Sequence, residues 1–412
     1  MNNLQSDGWR LDDLKYIQLT PNEFSTWRLE RGDIVFNRTN SKELVGKCEV
    51  FDEPGDWVFA SYLMRLRVDP NKATPEFVAA FLNTRAGRVQ IDRESRQIIG
   101  MSNINAEEIR TLRVPLPNPT KQKELLDVLD TARISRRHKL READNLLGGL
   151  DSFVLDQLGL ALPPPDGRIV YATRLGVART RFDPDFHSSR FRSLRNKIEN
   201  GKFKPRTIKS VCDFIQSGFA AGGDDQTDDS TIGVPHIRPL NISNTAELHF
   251  EGTKMVPRSS VKSVDFIQQG EVLFNNTNST AWVGKTVVFD ANRECACSNH
   301  ITRLRLADKT NSPYFLAAII NALRGLGYFG LLSTNFNNQA GINSDTLQSV
   351  LLPWPDDDVQ TKIANEVAQR RKAARQLRVD ANTLWEQAKA NFEADLLGTV
   401  PSEMPQPNGV LK

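Results

Sequence analysis

Gly32-Asp33-Ile34-Val35-Phe36-Asn37-Arg38-Thr39-Asn40-Ser41 occurs a second time in the chain, as Gly270-Glu271-Val272-Leu273-Phe274-Asn275-Asn276-Thr277-Asn278-Ser279. The step between the two copies is roughly 238 residues, and self-similarity at a fixed step marks a repeated structural unit. The same step carries Val45-Gly46-Lys47 onto Val283-Gly284-Lys285, and Arg65-Leu66-Arg67 onto Arg303-Leu304-Arg305. It carries Pro75 onto Pro313, Ala79-Ala80 onto Ala317-Ala318, and Ile104-Asn105 onto Ile342-Asn343. It still holds at Pro115 and Pro353 and at Gln122 and Gln360. Only near the end of each copy does it slip by one, pairing Phe153 with Phe392 and Gly159 with Gly398. A register kept this long without a gap is a duplication.

Each copy reads as a mixed α/β domain followed by one long helix. Residues 33–36 and 272–274 are strand-like, with a Gly before and an Asn/Thr/Ser turn after. Residues 62–68 and 300–306 alternate in the manner of further strands. Thr74-Pro75 and Ser312-Pro313 open helices, with a hydroxyl at the cap and Pro at the first helical position. After Val114-Pro115-Leu116-Pro117, apolar or small residues recur at Leu125, Leu129, Ala132, Leu140, Ala143, Leu147, Leu150 and Val154. That spacing is a helix with one apolar seam. A second seam, behind Pro353-Trp354-Pro355, runs through Ile363, Val367, Ala374, Leu377, Ala381, Leu384 and Ala388. Each seam is ~40 residues and predicts a helix of roughly 60 Å. Two seams of similar length predict that the helices pack on each other; the alternative is that each lies on its own domain. The chain divides into a first domain (1–117), a first long helix (118–160), a second domain (161–355), a second long helix (356–398) and a tail (399–412).

The copies differ in extent. Asn3 matches Asn241, so the second copy carries an additional front portion, roughly residues 162–238, with no counterpart. The first domain is therefore expected to lack its opening third or more. A fragmentary gene, a missed upstream start or a separate chain supplying that part would each account for it.

The 412 residues suit two to three domains. A net charge of +3 is too small to prove a nucleic-acid partner, so local patches must carry that argument. The four cysteines, Cys48, Cys212, Cys295 and Cys297, form no disulfide framework, which fits a reducing cytoplasm. Residues 1–7 carry no basic-then-apolar signal peptide, and no run of ~18 apolar residues predicts a membrane span. The expectation is a cytoplasmic protein with no membrane contact.

Two regions carry candidate DNA-reading residues. The first is the turn after the repeated strand: Arg38, Asn40, Ser41, Lys42 and Lys47 in the first copy, Asn276, Asn278, Thr280 and Lys285 in the second. Amides can bond adenine, Arg can bond guanine, and hydroxyls and Lys reach phosphates. Arg38 against Asn276, and Lys42 against Thr280, differ on a shared scaffold, as expected if each copy reads a different sequence. The bland alternative is a plain Asn/Ser turn. The second region is Asn335-Phe336-Asn337-Asn338-Gln339, where the first copy has Gln97-Ile98-Ile99-Gly100-Met101. Asn335 and Asn338 are the candidates there; the alternative is a loop before a helix capped by Asn105 or Asn343. Arg190 and Arg192, in a basic run extending to Lys209, could follow a phosphate backbone or form a solvated helix face.

Catalytic readings fall away. Val283-Gly284-Lys285-Thr286 ends like a P-loop, but Ser279 stands where that motif's first Gly belongs. Cys295, Cys297 and His300 are one ligand short of a closed zinc site, and their counterparts are Trp57, Phe59 and Tyr62. No nucleophile arrangement is visible, and no cofactor is expected.

The paired Gly-Asp-Ile-Val-Phe and Gly-Glu-Val-Leu-Phe strands, the Val114 to Gln122 lead-in to a long helix, and Arg181-Phe182-Asp183-Pro184-Asp185-Phe186 together resemble the specificity (S) subunit of Type I restriction–modification systems. The likeness spans nearly the whole chain, apart from the front of the first domain. It implies an α/β fold: two target-recognition domains separated by an antiparallel two-helix coiled coil, with a pseudo-two-fold internal repeat. It implies a double-stranded DNA partner whose split site is read half by each domain. The helices would act as a ruler, ~60 Å against ~34 Å per duplex turn, or about two turns at most. It further implies two docked methyltransferase (M) subunits, which bind S-adenosylmethionine and modify adenine, and an ATP-driven restriction (R) subunit. This chain would then be no enzyme. The competing expectations are a decayed scaffold that binds M subunits without reading DNA, and a self-contained methyltransferase or nuclease.

Overall fold

The structure is a computed structural model, and it describes residues 3–5, 8–11, 14–98, 101–160, 162, 172, 185–336 and 339–399. These form two compact units, one from the residues up to Glu142 together with those from Gln376 onward, the other from Ala143–Arg375. The stretch Arg181-Phe182-Asp183-Pro184 lies outside the described residues.

In the first unit the strand Ile34–Asn37 is central, because Ile34, Val35 and Phe36 are apolar on both faces and all are fully buried. It lies between the antiparallel strands Cys48–Val50 and Leu63–Leu66. In the second unit Val272–Asn275 lies between Thr286–Val288 and Ile301–Leu306. The registers correspond pair by pair: Ile34 faces Val50 and Leu66, and Val272 faces Val288 and Leu304. A fourth strand, Cys212–Ser217, covers the outer edge of Ile301–Leu306 in the second unit. It comes from the portion that has no sequence counterpart in the first copy.

A helix follows each sheet, Pro75–Leu82 and Pro313–Gly325. Thr74 and Ser312 cap them, their hydroxyl oxygens accepting the N–H of Phe77 at 3.2 Å and of Phe315 at 3.3 Å. Each helix is latched to the sheet by an asparagine amide. Asn83 Nδ2 donates to the Cys48 carbonyl at 2.7 Å, and Asn321 Nδ2 to the Thr286 carbonyl at 2.7 Å.

The first seam does not form one unbroken helix. It forms Pro119–Gly148 and Leu150–Gln157, divided at Gly149. The apolar period runs straight through this point, but glycine is a poor helix former and two stand together there. The second seam is a single helix of 41 residues, Asp357–Leu397. Within the first unit Leu125, Leu129 and Ala132 share a core with Trp385, Ala388 and Phe392. Arg133 lies over the Trp385 ring at 5.6 Å, and Arg136 Nη2 donates to Asn382 Oδ1 at 3.3 Å, so numbering along the two helices runs in opposite senses. Within the second unit Leu150 and Val154 share a core with Ile363, Ala364 and Val367.

Gln122 and Gln360, matched in sequence, tie the start of each long helix to its domain. Both are buried. Gln360 Nε2 donates to Asn311 Oδ1 at 2.8 Å and to the Pro355 carbonyl at 3.0 Å, while its Oε1 accepts the Ser312 N–H at 3.2 Å. Gln122 makes the same kind of bonds to Lys72, Pro117 and Thr74. Gln360→Leu keeps the volume and strands these partners in a dry site. Its expected cost is about 2 kcal/mol, read as a lower midpoint in urea denaturation.

Candidate nucleic-acid interface

Beyond each central strand the chain adds a second, smaller sheet. In the first unit Thr39–Asn40 pairs with Met101–Asn103, which pairs with Arg96–Ile98. In the second unit Thr277–Asn278 pairs with Gln339–Gly341, which pairs with Thr334–Phe336. Asn278 and Asn335 both face Ala340, and Asn40 and Gln97 both face Ser102. The two regions read separately in sequence are thus the two outer strands of one sheet. Asn335 is exposed, and Asn338 lies outside the described residues.

The turn leaving each small strand has a fixed shape. Asn40 Oδ1 accepts the Ser41 N–H and Asn278 Oδ1 the Ser279 N–H, both at 2.9 Å. These two side-chain oxygens therefore hold the turn, whatever else the amides do. Gly46 and Gly284 close it from the left-handed region, at φ +82° and +88°, their N–H groups donating to the Asn37 and Asn275 carbonyls. An arginine supports each turn from a helix. Arg88 donates to the carbonyls of Val45 and, at 3.3 Å, of Glu43; Arg324 donates to that of Ala281 at 3.3 Å.

The remaining candidates separate by where they point. Lys42 and Thr280 are exposed at matched tips, Ser41 is half-buried, and Arg38 and Lys47 are half-buried. Arg38 Nε is buried with no hydrogen-bond partner. Asn276 does not face solvent, which corrects its reading as a base contact. It is 6% exposed, and its Nδ2 donates to Thr302 Oγ1 at 2.9 Å and the Asn299 carbonyl at 3.0 Å, while Oδ1 accepts from Thr277 Oγ1. A polar side chain so fully bonded inside the domain has nothing left to offer a duplex. Arg190 and Arg192 lie on the helix Ser189–Asn200, whose apolar face of Phe191, Leu194 and Ile198 is buried. Arg192 points to solvent, whereas Arg190 is half-buried with its Nε enclosed.

Lys285 is the least ordinary of the set. It is 6% exposed, and among the described residues it makes no ion pair. Burial, reinforced by the charge of Arg324, holds its ammonium below the usual lysine value. Its Nζ stands 5.3 Å from the centre of the Trp282 ring, and the Arg324 guanidinium 5.4 Å from it, so one indole serves two cations. Lys285, Trp282 and Asn278 line a cleft of about 680 Å³ with Arg238, Leu240 and His249. Cationic groups, an indole and amides around one concavity suit a phosphodiester with an adjoining base. Sequence reasoning missed Trp282, Arg324, Arg238 and His249. The available signal was Trp282, an aromatic residue inside a polar loop where the first copy has Leu44.

Among the described residues no group of three or more His, Cys, Asp and Glu side chains could hold a metal, and no helix is long and apolar enough to cross a membrane. Cys295 and Cys297 are buried in a core with Ile237 and Ile301, where burial pushes their thiols up to about 12.

Residues 1–138 match the family model of the Type I restriction modification DNA specificity domain. The chain is 25% identical over 140 residues to a protein of Methanocaldococcus jannaschii described as the type I restriction enzyme MjaX specificity subunit, covering 34% of this chain and 30% of that one. It is 30% identical over 112 residues to the type I restriction enzyme StySPI specificity subunit of Salmonella potsdam, covering 27% of this chain and 24% of that one. The matches thus span less than a third of the length of either relative. A chain from a structural study of complex assembly and conformational transition in the type I R-M system has a similar fold. Its TM-score is 0.52 at 17% identity, covering 90% of this chain and 83% of that one. Residues 1–138 are thus similar to a Type I restriction–modification DNA specificity domain, and the chain as a whole shares the fold of the type I R-M chain.

Proposed function

We propose that the chain is the DNA-addressing subunit of a Type I restriction–modification complex. Each unit reads one half of a split duplex target through its small sheet and the adjoining turn. The two domains are copies of one another, divided near residues 117, 160, 355 and 398, and joined by their long helices as an antiparallel coiled coil. Opposite senses of numbering at Arg133–Trp385 and Arg136–Asn382 support that pairing. The helices dock two M subunits, which modify adenine, and the assembly takes an R subunit for cleavage in the cytoplasm. The chemistry belongs to those partners; this chain supplies the address.

The observation that carries the proposal is a shared backbone with different tips. Matched registers set the two turns alike, yet Lys42 stands opposite Thr280 and Gln97 opposite Asn335. Side chains that vary on a constant scaffold suit two readers of different bases. Arg38, Ser41, Lys42 and Lys47 in the first unit, and Asn278, Thr280, Lys285 and Asn335 in the second, are the residues proposed to make the contacts. Gel shifts of the chain on random duplexes, with and without an M subunit, test it. A selected two-part sequence supports it; M binding without sequence preference points to a scaffold instead. Lys285→Met is expected to lower the slope of log K against log salt by about 0.9, the share of one phosphate, and to weaken all sequences alike.

A further inference from the structure

The cleft of the second unit has two walls, and both are anchored on the long helices. One wall is the turn that carries Trp282 and Lys285. The other is the hairpin 242–248, closed by an antiparallel bridge between Ile242 and Leu248, with Ser243 and Asn244 lining the cleft. The Ser243 N–H donates to the Glu247 carbonyl at 2.8 Å, and the Glu247 N–H to Ser243 Oγ at 3.0 Å. Thr245 Oγ1 donates to Glu247 Oε2 at 3.3 Å. Ala246, at the bend, sits at φ +58° and is 4% exposed. Among the described residues it alone, glycines apart, adopts a positive φ. Such a backbone persists only where its surroundings hold it.

What holds it is an arginine pair on the long helix, Arg371 and Arg375. Arg375 Nη1 donates to Glu247 Oε1 at 2.9 Å. Arg371, one helical turn earlier, feels the charges of Glu247 and of Asp151, the latter on the helix Leu150–Gln157. Burial is the larger influence and keeps its guanidinium below the usual arginine value despite both carboxylates. Asp151, whose carboxyl is pushed up by burial, feels Arg324 as well. Arg324 in turn supports the other wall through the Ala281 carbonyl and the Trp282 ring. Charges of alternating sign therefore run from one wall to the other by way of the helices: Arg324, Asp151, Arg371, Glu247.

The arginine pair occurs in both copies. The repeat step carries Arg133 and Arg137 onto Arg371 and Arg375. In the first unit Arg133 and Arg137 line a concavity with Gly8 and Trp9, which stand where the second unit has Ala246 and Glu247. A Cβ at Gly8 would come within 2.8 Å of Arg137 Nη2, so that arginine lies directly against the bend. The partners differ: Arg133 stands 3.8 Å from Glu49, where the second copy has Val287. Two arginines one helical turn apart thus underlie the same bend twice, although the residues they meet have changed. We propose that Arg371 and Arg375 are positioning residues for the cleft. They hold the hairpin 242–248 at the separation from the Trp282 turn that reading of the second half-site requires, without touching the duplex themselves. The inference rests on the cleft being where the second unit meets DNA. It makes residues of the long helix determinants of base choice at a cleft they do not line.

The test is selection from random duplexes by the full chain with an M subunit, and Glu247→Ala is the telling variant. It removes a negative charge beside a cleft for a polyanion, so electrostatics alone would tighten binding to all sequences alike. Positioning predicts a loss at one half instead. Base preference in the second half-site falls about threefold, the range of an exposed ion pair, and the first half is unchanged. Arg375→Ala is expected to cost as much, the double variant no more than either single one, and Arg375→Lys to keep most of the preference. Uniform tightening by Glu247→Ala, additive losses in the double variant, or losses in both halves would overturn the inference. A split site selected by the unaltered chain yet insensitive to these variants overturns it alone. Failure of the unaltered chain to select any site overturns the DNA reading beneath it as well.

Discussion

Glu271→Ala is expected to destabilise the second unit by about 3–5 kcal/mol, enough to consume most of an ordinary domain's stability. Glu271 is fully buried and Arg303 is 1% exposed. The carboxylate accepts from Arg303 Nε at 2.8 Å and Nη2 at 3.0 Å, from Arg305 Nη2 at 2.6 Å, and from the Gln268 N–H at 3.0 Å. Arg303 also donates to the carbonyls of Val264 and Phe266, so it cannot swing out to water when its partner is removed. A buried guanidinium without a counter-charge is the costly product. The first unit gives the contrast. Asp33 bonds Arg67 Nε at 2.6 Å, but Arg67 is 52% exposed and water can replace its partner. Asp33→Ala is accordingly expected to cost about 1–2 kcal/mol, chiefly through the lost Glu30 N–H bond. Hydrogen exchange resolved by unit, rather than one melting curve, checks both values, because two units need not unfold together.

Gly284→Ala is expected to have the next largest effect, and on reading as well as on stability. The residue sits at φ +88°, and a Cβ there would come within 2.7 Å of the buried Phe329 ring. Left-handed strain and overpacking add to roughly 2–4 kcal/mol. Gly284 also fixes the turn between Thr280 and Lys285, so part of that strain is released by distorting the turn. Contacts to one half of the target should weaken while those of the first unit persist. Gly46→Ala is the mirror experiment: its Cβ would stand 2.6 Å from Ile91. Footprinting with both variants shows whether each glycine governs its own half.

Much of this was legible in the residues because the matched stretches present the same pattern twice. The central strands could be placed from Ile34-Val35-Phe36 and Val272-Leu273-Phe274, where two-sided burial needs unbroken apolar runs. Gln122 and Gln360 stood out as a matched pair, although only the structure gives them a role as latches. Other features depend on contacts across long separations, which a linear pattern does not record. Asn278 and Asn335 are joined through Ala340, and no local periodicity links residues so far apart. Asn276 reads as a polar loop residue, yet tertiary partners at Asn299 and Thr302 turn it inward. The break at Gly149 was missed for the opposite reason: the apolar seam continues across it, and seam spacing is blind to backbone propensity.

The most direct measurement is the base preference of the assembled complex before and after exchange of tip residues between copies. Thr280→Lys with Asn335→Gln gives the second unit the first unit's residues at matched positions, and selection from random duplexes reads the outcome. The account predicts changed bases in one half of the selected site, at about 1–3 kcal/mol of discrimination per altered contact, with the other half and the spacing intact. A site unchanged in both halves, or altered in both together, would contradict it.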